Sequence, residues 1–290
     1  MTRLVRGRYV EPGGIRGYYI DMRPKARTAA WPPPELEGMA GHRSIGVVQW
    51  ALGALEHRLA TGDDTWLAAA RAAADELLGE QERTGPLAGA WLSHEPYPHT
   101  FEVTPPWTSA MGQGEAASLL VRIFLATGED RFAEGAVLAL GPLAVPTEEG
   151  GVRASLDGRP WPEEFPTTPP SFVLNGGIFA IWGLYDVGVG LGDPGAAQAF
   201  AEAVETLAAN IHRWDHGWWS RYDLYPHPVM NLASPFYHRL HIEQLRALDE
   251  IAPRPELRTI ADRWERYWAS PLNRVRAVSA KIRFRRAVPR

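Results

Sequence analysis

The chain has 290 residues, 45% of them hydrophobic and 22% charged, with a formal net charge of −4 and no cysteine. That size and composition suit a globular protein of one large domain or two small ones, and exclude a disordered or fibrous chain. The missing cysteines exclude disulfides, thiolate nucleophiles and cysteine-ligated metals, and leave the compartment open.

Residues 1–38 read as an N-terminal arm, with a strand expected near residues 18–22 and the proline-rich stretch 31–38 as a rigid entry to the first helix. The start of the chain lacks the apolar stretch of a signal peptide, and no apolar run of transmembrane length occurs, so a cytoplasmic location without a transmembrane segment is expected.

From residue 39 to 270 the chain repeats itself. LATGDDTWLAAARAAADEL at Leu59, LATGEDRFAEGAVLAL at Leu125, GLGDPGAAQAFAEAVETL at Gly190 and, more weakly, IAPRPELRTIADRWERY at Ile251 recur with a period of about 60 to 66 residues. In the first three copies a glycine ends one helix in the left-handed conformation, and Asp63, Glu129 or Asp193 opens the next. The first helices of the pairs fall at 45–60, 113–126, 175–188 and 237–251; three of them are apolar on more than one side, as buried helices are. Partners such as 66–81 and 197–212 carry a clearer polar face. The expected fold is all-α, an α/α toroid of about four helical hairpins, with short β-hairpin insertions at the site end.

Three long loops rich in proline, glycine and aromatics, at 84–108, 143–170 and 213–235, each precede an inner helix and would converge on one mouth of the ring. A short strand pair is expected around 217–224. The stretch 221–245, RYDLYPHPVMNLASPFYHRLHIEQL, holds three tyrosines, three histidines and two arginines, the composition of a site and not of a core. His238 and His241 share one helical face, but three-residue spacing without a carboxylate speaks for hydrogen bonding over a metal. Glu163 and Glu164, by composition alone, read as exposed acids in a loop. Twelve tryptophans are mostly packing residues of a helical ring, a minority facing ligand. Residues 271–290 carry seven basic side chains and no acid, expected as a solvated tail that also suits a polyanion or an anionic membrane surface.

Several motifs, in one order, resemble the catalytic C-terminal domain of D-glucuronyl C5-epimerases: SAMGQG at 109–114, EEFPTTPPSFVLNG at 163–176, GLYD at 183–186, YDL at 222–224 and NLA…YHxxHIxQL at 231–245. The strong resemblance spans about residues 107–251, and YYIDMRPKA at 18–26 is similar to bacterial members. It implies an enzyme that removes the carbon 5 proton of a D-glucuronic acid unit in a polysaccharide and returns one to the opposite face, leaving L-iduronic acid. Such a proton is weakly acidic because the adjacent carboxylate resists carbanion formation, so the site must neutralise that carboxylate and hold a proton-transfer group on each face.

By the resemblance Tyr222, Tyr237 and Glu164 are the catalytic candidates, Glu164 as the acid that shields the substrate carboxylate. Arg221, Tyr225, Asn231, Arg239, His238, His241, Gln113, Asn175 and Trp107 are the substrate-binding candidates. Three departures lie in the site. A family tyrosine is Phe165 here, a family arginine is Tyr225, and a family Arg-Trp-Asp is Ser234, Pro235 and Phe236. The missing cation is then sought in Arg221 or Arg239. The implied partner is an anionic glucuronic-acid-containing polysaccharide such as heparosan, not nucleic acid. No cofactor or metal is expected, calcium entering only by analogy, and animal relatives suggest a homodimer. The alternatives are a polysaccharide lyase, a glycoside hydrolase using Glu164 and Asp223, or a non-catalytic uronan-binding domain favoured by Phe165.

Overall fold

A computed structural model describes residues 6–7, 13–36, 43–96 and 100–288. Four helical hairpins form the body: α1 (Arg43–Thr61) with α2 (Asp64–Glu80), α3 (Ala110–Thr127) with α4 (Asp130–Leu138), α6 (Leu174–Gly190) with α7 (Pro194–Asn210), and α8 (Pro235–Ile251) with α9 (Pro255–Ala269). A one-turn helix, α5 (Gly141–Ala144), follows α4. The first helices pack side by side in the order α1, α3, α6, α8, and their partners lie outside them.

The hairpin turns follow from the sequence as expected. Gly62, Gly128 and Gly192 stand at φ +74°, +74° and +69°, a region that costs glycine little, and each releases the chain from one helix. Asp63 and Asp193 then cap the next helix by accepting from the amides of Thr65 and Ala196. Glu129 takes the same position without capping and pairs with Arg71 and Arg131 instead. Helices α3 and α6 are buried along most of their length and approach so closely that a Cβ on Gly183 would lie 2.4 Å from the Gly114 Cα.

The N-terminal segment ties the inner helices together. Tyr18 and Tyr19 are buried; the Tyr18 amide donates to Glu56 of α1 at 2.6 Å, and the Tyr19 hydroxyl donates to Asp186 of α6 at 2.6 Å. Arg122 of α3 pairs with the same aspartate and donates to the Gly17 carbonyl. Arg6, bridged to Ile20, pairs with Glu243 and Glu250 of α8. In place of the strand expected at 18–22 there is this single bridge.

A two-stranded antiparallel hairpin, β1 (Arg153–Leu156) and β2 (Arg159–Pro162), rises from the second long loop. Its turn is Asp157-Gly158, both at positive φ, the pairing that a two-residue hairpin turn prefers. The stretch 217–224, expected as a strand pair, forms only the isolated bridges Asp215 to Ser220 and Arg221 to Leu232. The basic residues expected as a solvated tail form a helix, α10 (Pro271–Ala287), docked through buried Ala277 and Phe284. Among the described residues no helix is long and apolar enough to cross a membrane.

Candidate active site

Two loops and two helix starts build the site. The hairpin delivers Glu163 into the protein, where its carboxylate accepts from the Ser171 hydroxyl at 2.6 Å and the Phe172 amide at 2.7 Å. Those bonds hold Phe172 at φ +50°, a conformation that costs a non-glycine residue energy and that the surroundings must enforce. The Glu163 carbonyl also receives the Ala110 amide at the start of α3. Glu163 is therefore an anchor, and it fixes its neighbour.

Glu164 is 5% exposed, and its Oε2 is buried without a hydrogen-bond partner. It fits because residue 176 is glycine: a Cβ there would lie 2.2 Å from Oε2. Burial first, then the nearby charges of Glu115 and Glu163, push its carboxyl up to about 8. Glu115, held by Gln49, is likewise pushed up to about 8 by burial, and Glu163 to about 7. The pair that composition alone reads as exposed acids is thus buried.

Tyr222 and Tyr237 come from different elements and meet edge to face with ring centroids 4.9 Å apart, sharing a hydrogen bond. The Tyr222 amide donates to the Asn231 carbonyl, and the Tyr222 carbonyl receives the Leu174 amide at the start of α6. Burial, then the charge of Glu164, pushes its phenol well above the ordinary range. Tyr237 sits in the first turn of α8, which Ser234 caps.

Glu164, Tyr237 and Asn175 line one cavity of about 390 Å³, together with Ile20, Lys25, Gln49, Met111 and Phe179. All four inner helices and the N-terminal segment contribute to it. Lys25 makes no ion pair among the described residues, and its charge acts on Glu115. The Asn175 side-chain oxygen, like Glu164 Oε2, is buried without a partner. A second, wider groove of about 760 Å³ is lined by Trp107, Glu102, Glu148, Pro166, Tyr225 and His227. Phe165, Trp107, Tyr222 and Phe101 form an apolar cluster, with Tyr225 and Tyr237 packed against it.

The other expected binding residues support the site from behind. His238 stacks on Trp219 at 3.7 Å, shares the Ser220 hydroxyl with His241, and contacts the Trp264 carbonyl; burial pushes it down to about 3 and His241 well below its usual range. Gln113 spends its whole amide on Trp91, Thr108, Gly89 and Ala139. Asn231 donates to Asp223 at 2.5 Å and accepts from Lys281 of α10 at 2.6 Å. Arg239 is paired with Glu243 and Glu265, which removes it as the cation for a substrate. Arg221 is half-buried and lines neither the cavity nor the groove. Reading the sequence missed Lys25 and Gln49 as lining residues, although YYIDMRPKA holds the first. Among the described residues no three histidine or acidic side chains converge.

The geometry is thus a buried carboxyl, neutral at pH 7, close to a pair of tyrosines in the body of helical hairpins. The family model for the D-glucuronyl C5-epimerase C-terminus matches residues 85–266, and the chain belongs to that family. It is similar to the D-glucuronyl C5-epimerase of Caenorhabditis elegans, 35% identical over 182 residues, covering 57% of this chain and 29% of that protein. It is also similar to an uncharacterized protein of Methanocaldococcus jannaschii, 26% identical over 176 residues, 59% of this chain and 56% of that one. The match thus spans less than two thirds of either relative.

Proposed function

We propose that the protein inverts carbon 5 of D-glucuronic acid units in an anionic polysaccharide, giving L-iduronic acid units. The observation that carries this reading is the cavity wall that brings an unpartnered, neutral Glu164 together with Tyr237 and Lys25.

The two tyrosines do not flank the sugar. Their rings are 4.9 Å apart, whereas a pyranose between them would need about 7 Å, two van der Waals spacings. The two proton-transfer roles are therefore assigned to Glu164 and Tyr237, which line the same cavity. Magnitude decides which is the base for glucuronate. Ionising an ordinary tyrosine at neutral pH costs about 4 kcal/mol, and ionising a carboxyl at about 8 costs about 1.4 kcal/mol. Ionised Glu164 takes the carbon 5 proton, and the electron pair of that bond moves into the substrate carboxyl group as an enolate. Lys25 offsets the enolate's added charge. Tyr237 donates its phenolic proton to the other face of carbon 5, and the proton gained by Glu164 returns to Tyr237 through water or Tyr222. No bond along the chain breaks.

The test is NMR of the purified protein in heavy water with unsulfated glucuronic-acid-containing polysaccharides such as heparosan. Deuterium at carbon 5 with L-iduronate signals is the expected result. An unsaturated uronate would make the protein a lyase, and a new reducing end a hydrolase. Binding with no exchange would mean that Phe165, standing where relatives have tyrosine, marks a site that only recognises uronates.

A further inference from the structure

Helix α10 has two apolar faces, and only one is covered. Ala277 is buried against Trp219 and Leu232, and Phe284 is buried with its ring 5.0 Å from that of His227. Leu272, Val275, Val278 and Ile282 are 66%, 65%, 46% and 50% exposed, four of the nine large apolar side chains exposed among the described residues. They succeed one another at steps of three and four, which makes them one stripe on the side opposite Phe284. Helical geometry sets Arg276 and Arg283 along one flank of that stripe, Arg274 and Arg285 along the other, and Arg286 at its C-terminal end. The helix contains no acid. Arg274 and Arg276 are steadied by the Trp268 carbonyl and the Trp218 ring, while Arg276, Arg283, Arg285 and Arg286 make no ion pair among the described residues.

We propose that this face of α10 docks on an anionic lipid surface, the aliphatic stripe entering the headgroup boundary and the arginines meeting phosphates on both flanks. An aliphatic ridge between two basic rows is what an interfacial helix needs: apolar area to bury and cations at headgroup level. A second copy fits worse, because a two-fold pairing of stripes would bring the arginine rows together with no acid on the helix to offset them. A soluble polyanion would use the arginines and leave the exposed aliphatic side chains without a role. Phe284, on the covered side, has its ring 5.0 Å from that of His227 in the wide groove, and Val288 lines that groove, so the site and the docking face lie on opposite sides of α10 and the groove stays open when the stripe is covered.

The test is co-sedimentation of the full chain with vesicles of phosphatidylcholine alone and of equal parts phosphatidylcholine and phosphatidylserine. Binding is expected to the anionic vesicles only, and to weaken in molar salt. Leu272→Ser/Val275→Ser/Ile282→Ser should lower affinity at least about tenfold. Arg283→Gln/Arg285→Gln/Arg286→Gln should lower it about fivefold for each charge removed. Both variants alter exposed side chains, so an unchanged melting temperature checks that they fold. Equal binding to both vesicles, or binding to neither, would overturn the proposal. So would an aliphatic variant that binds like wild type, which would make the face a polyanion site. A dimer dissolved by the same variant would instead make it an interface between copies.

Discussion

Glu164 combines a buried oxygen without a partner and a carboxyl pushed up to about 8. A base of that strength is about a tenth ionised at neutral pH, whereas an ordinary tyrosine is about a thousandth ionised there. Glu164→Gln keeps the shape and cannot accept the proton, so exchange at carbon 5 should fall by about 10²- to 10⁴-fold while polysaccharide binding, measured by calorimetry, persists. The wild-type rate should climb about tenfold per pH unit below neutrality and level off above the Glu164 value of about 8. A rate that falls through that range would make Glu164 the acid and sink the assignment. Lys25→Ala should lower kcat/KM with Lys25→Arg restoring part of it, since only the charge is required. Glu164 and Tyr237 were legible in the sequence because each lies in a multi-residue motif. Lys25 was not, because a contact across more than a hundred residues leaves no local signal, and proximity in sequence pointed to Arg239, which Glu243 and Glu265 occupy.

At the level of elements, the hairpins were legible because helical periodicity and a glycine at each turn agree. What escaped has a physical reason. Helix α10 spreads its apolar residues over a buried and an exposed face, so it shows no single stripe and reads as a charged tail. The strand pair sits at Asp157-Gly158, a turn signal overlooked in favour of aromatic-rich residues that lie in bridges and turns. Helix α6 carries the closest tolerances. Gly176 receives Glu164 and Gly183 meets the α3 backbone at Gly114. Gly183→Ala should force α3 and α6 apart and lower stability by about 1–3 kcal/mol in urea unfolding. Gly176→Ala should displace Glu164 and remove exchange activity at a smaller stability cost. If Gly176→Ala exchanges at the wild-type rate, Glu164 is not the working carboxyl.

For the molecule as a whole, buried titrating groups of opposite habit shape stability against pH. Glu115, Glu163 and Glu164 are pushed up to about 8, 7 and 8, so above the unfolded carboxylate value the folded protein holds protons that the unfolded chain has released. Their contribution is complete below about 4.3 and is lost as pH rises through 7 to 8, each at about 1.4 kcal/mol per pH unit. His238, pushed down to about 3, and His241 do the reverse: both stay neutral in the fold, and stability is lost as pH falls below about 6.5. Between about 4.3 and 6.5 the three glutamates outweigh the two histidines by one proton, a net loss of about 1.4 kcal/mol per pH unit, and above about 6.5 the glutamates act alone and the loss steepens. Urea midpoints should therefore be highest near the unfolded carboxylate value of about 4.3 and fall most steeply between neutrality and pH 8. Glu164→Gln should make that alkaline slope shallower by the share of one proton, because glutamine does not titrate. This measurement needs no substrate, so it separates the acidity of Glu164 from its role in the reaction. An unaltered slope would mean that Glu164 titrates at its ordinary value, and the pH–rate profile would then belong to another group.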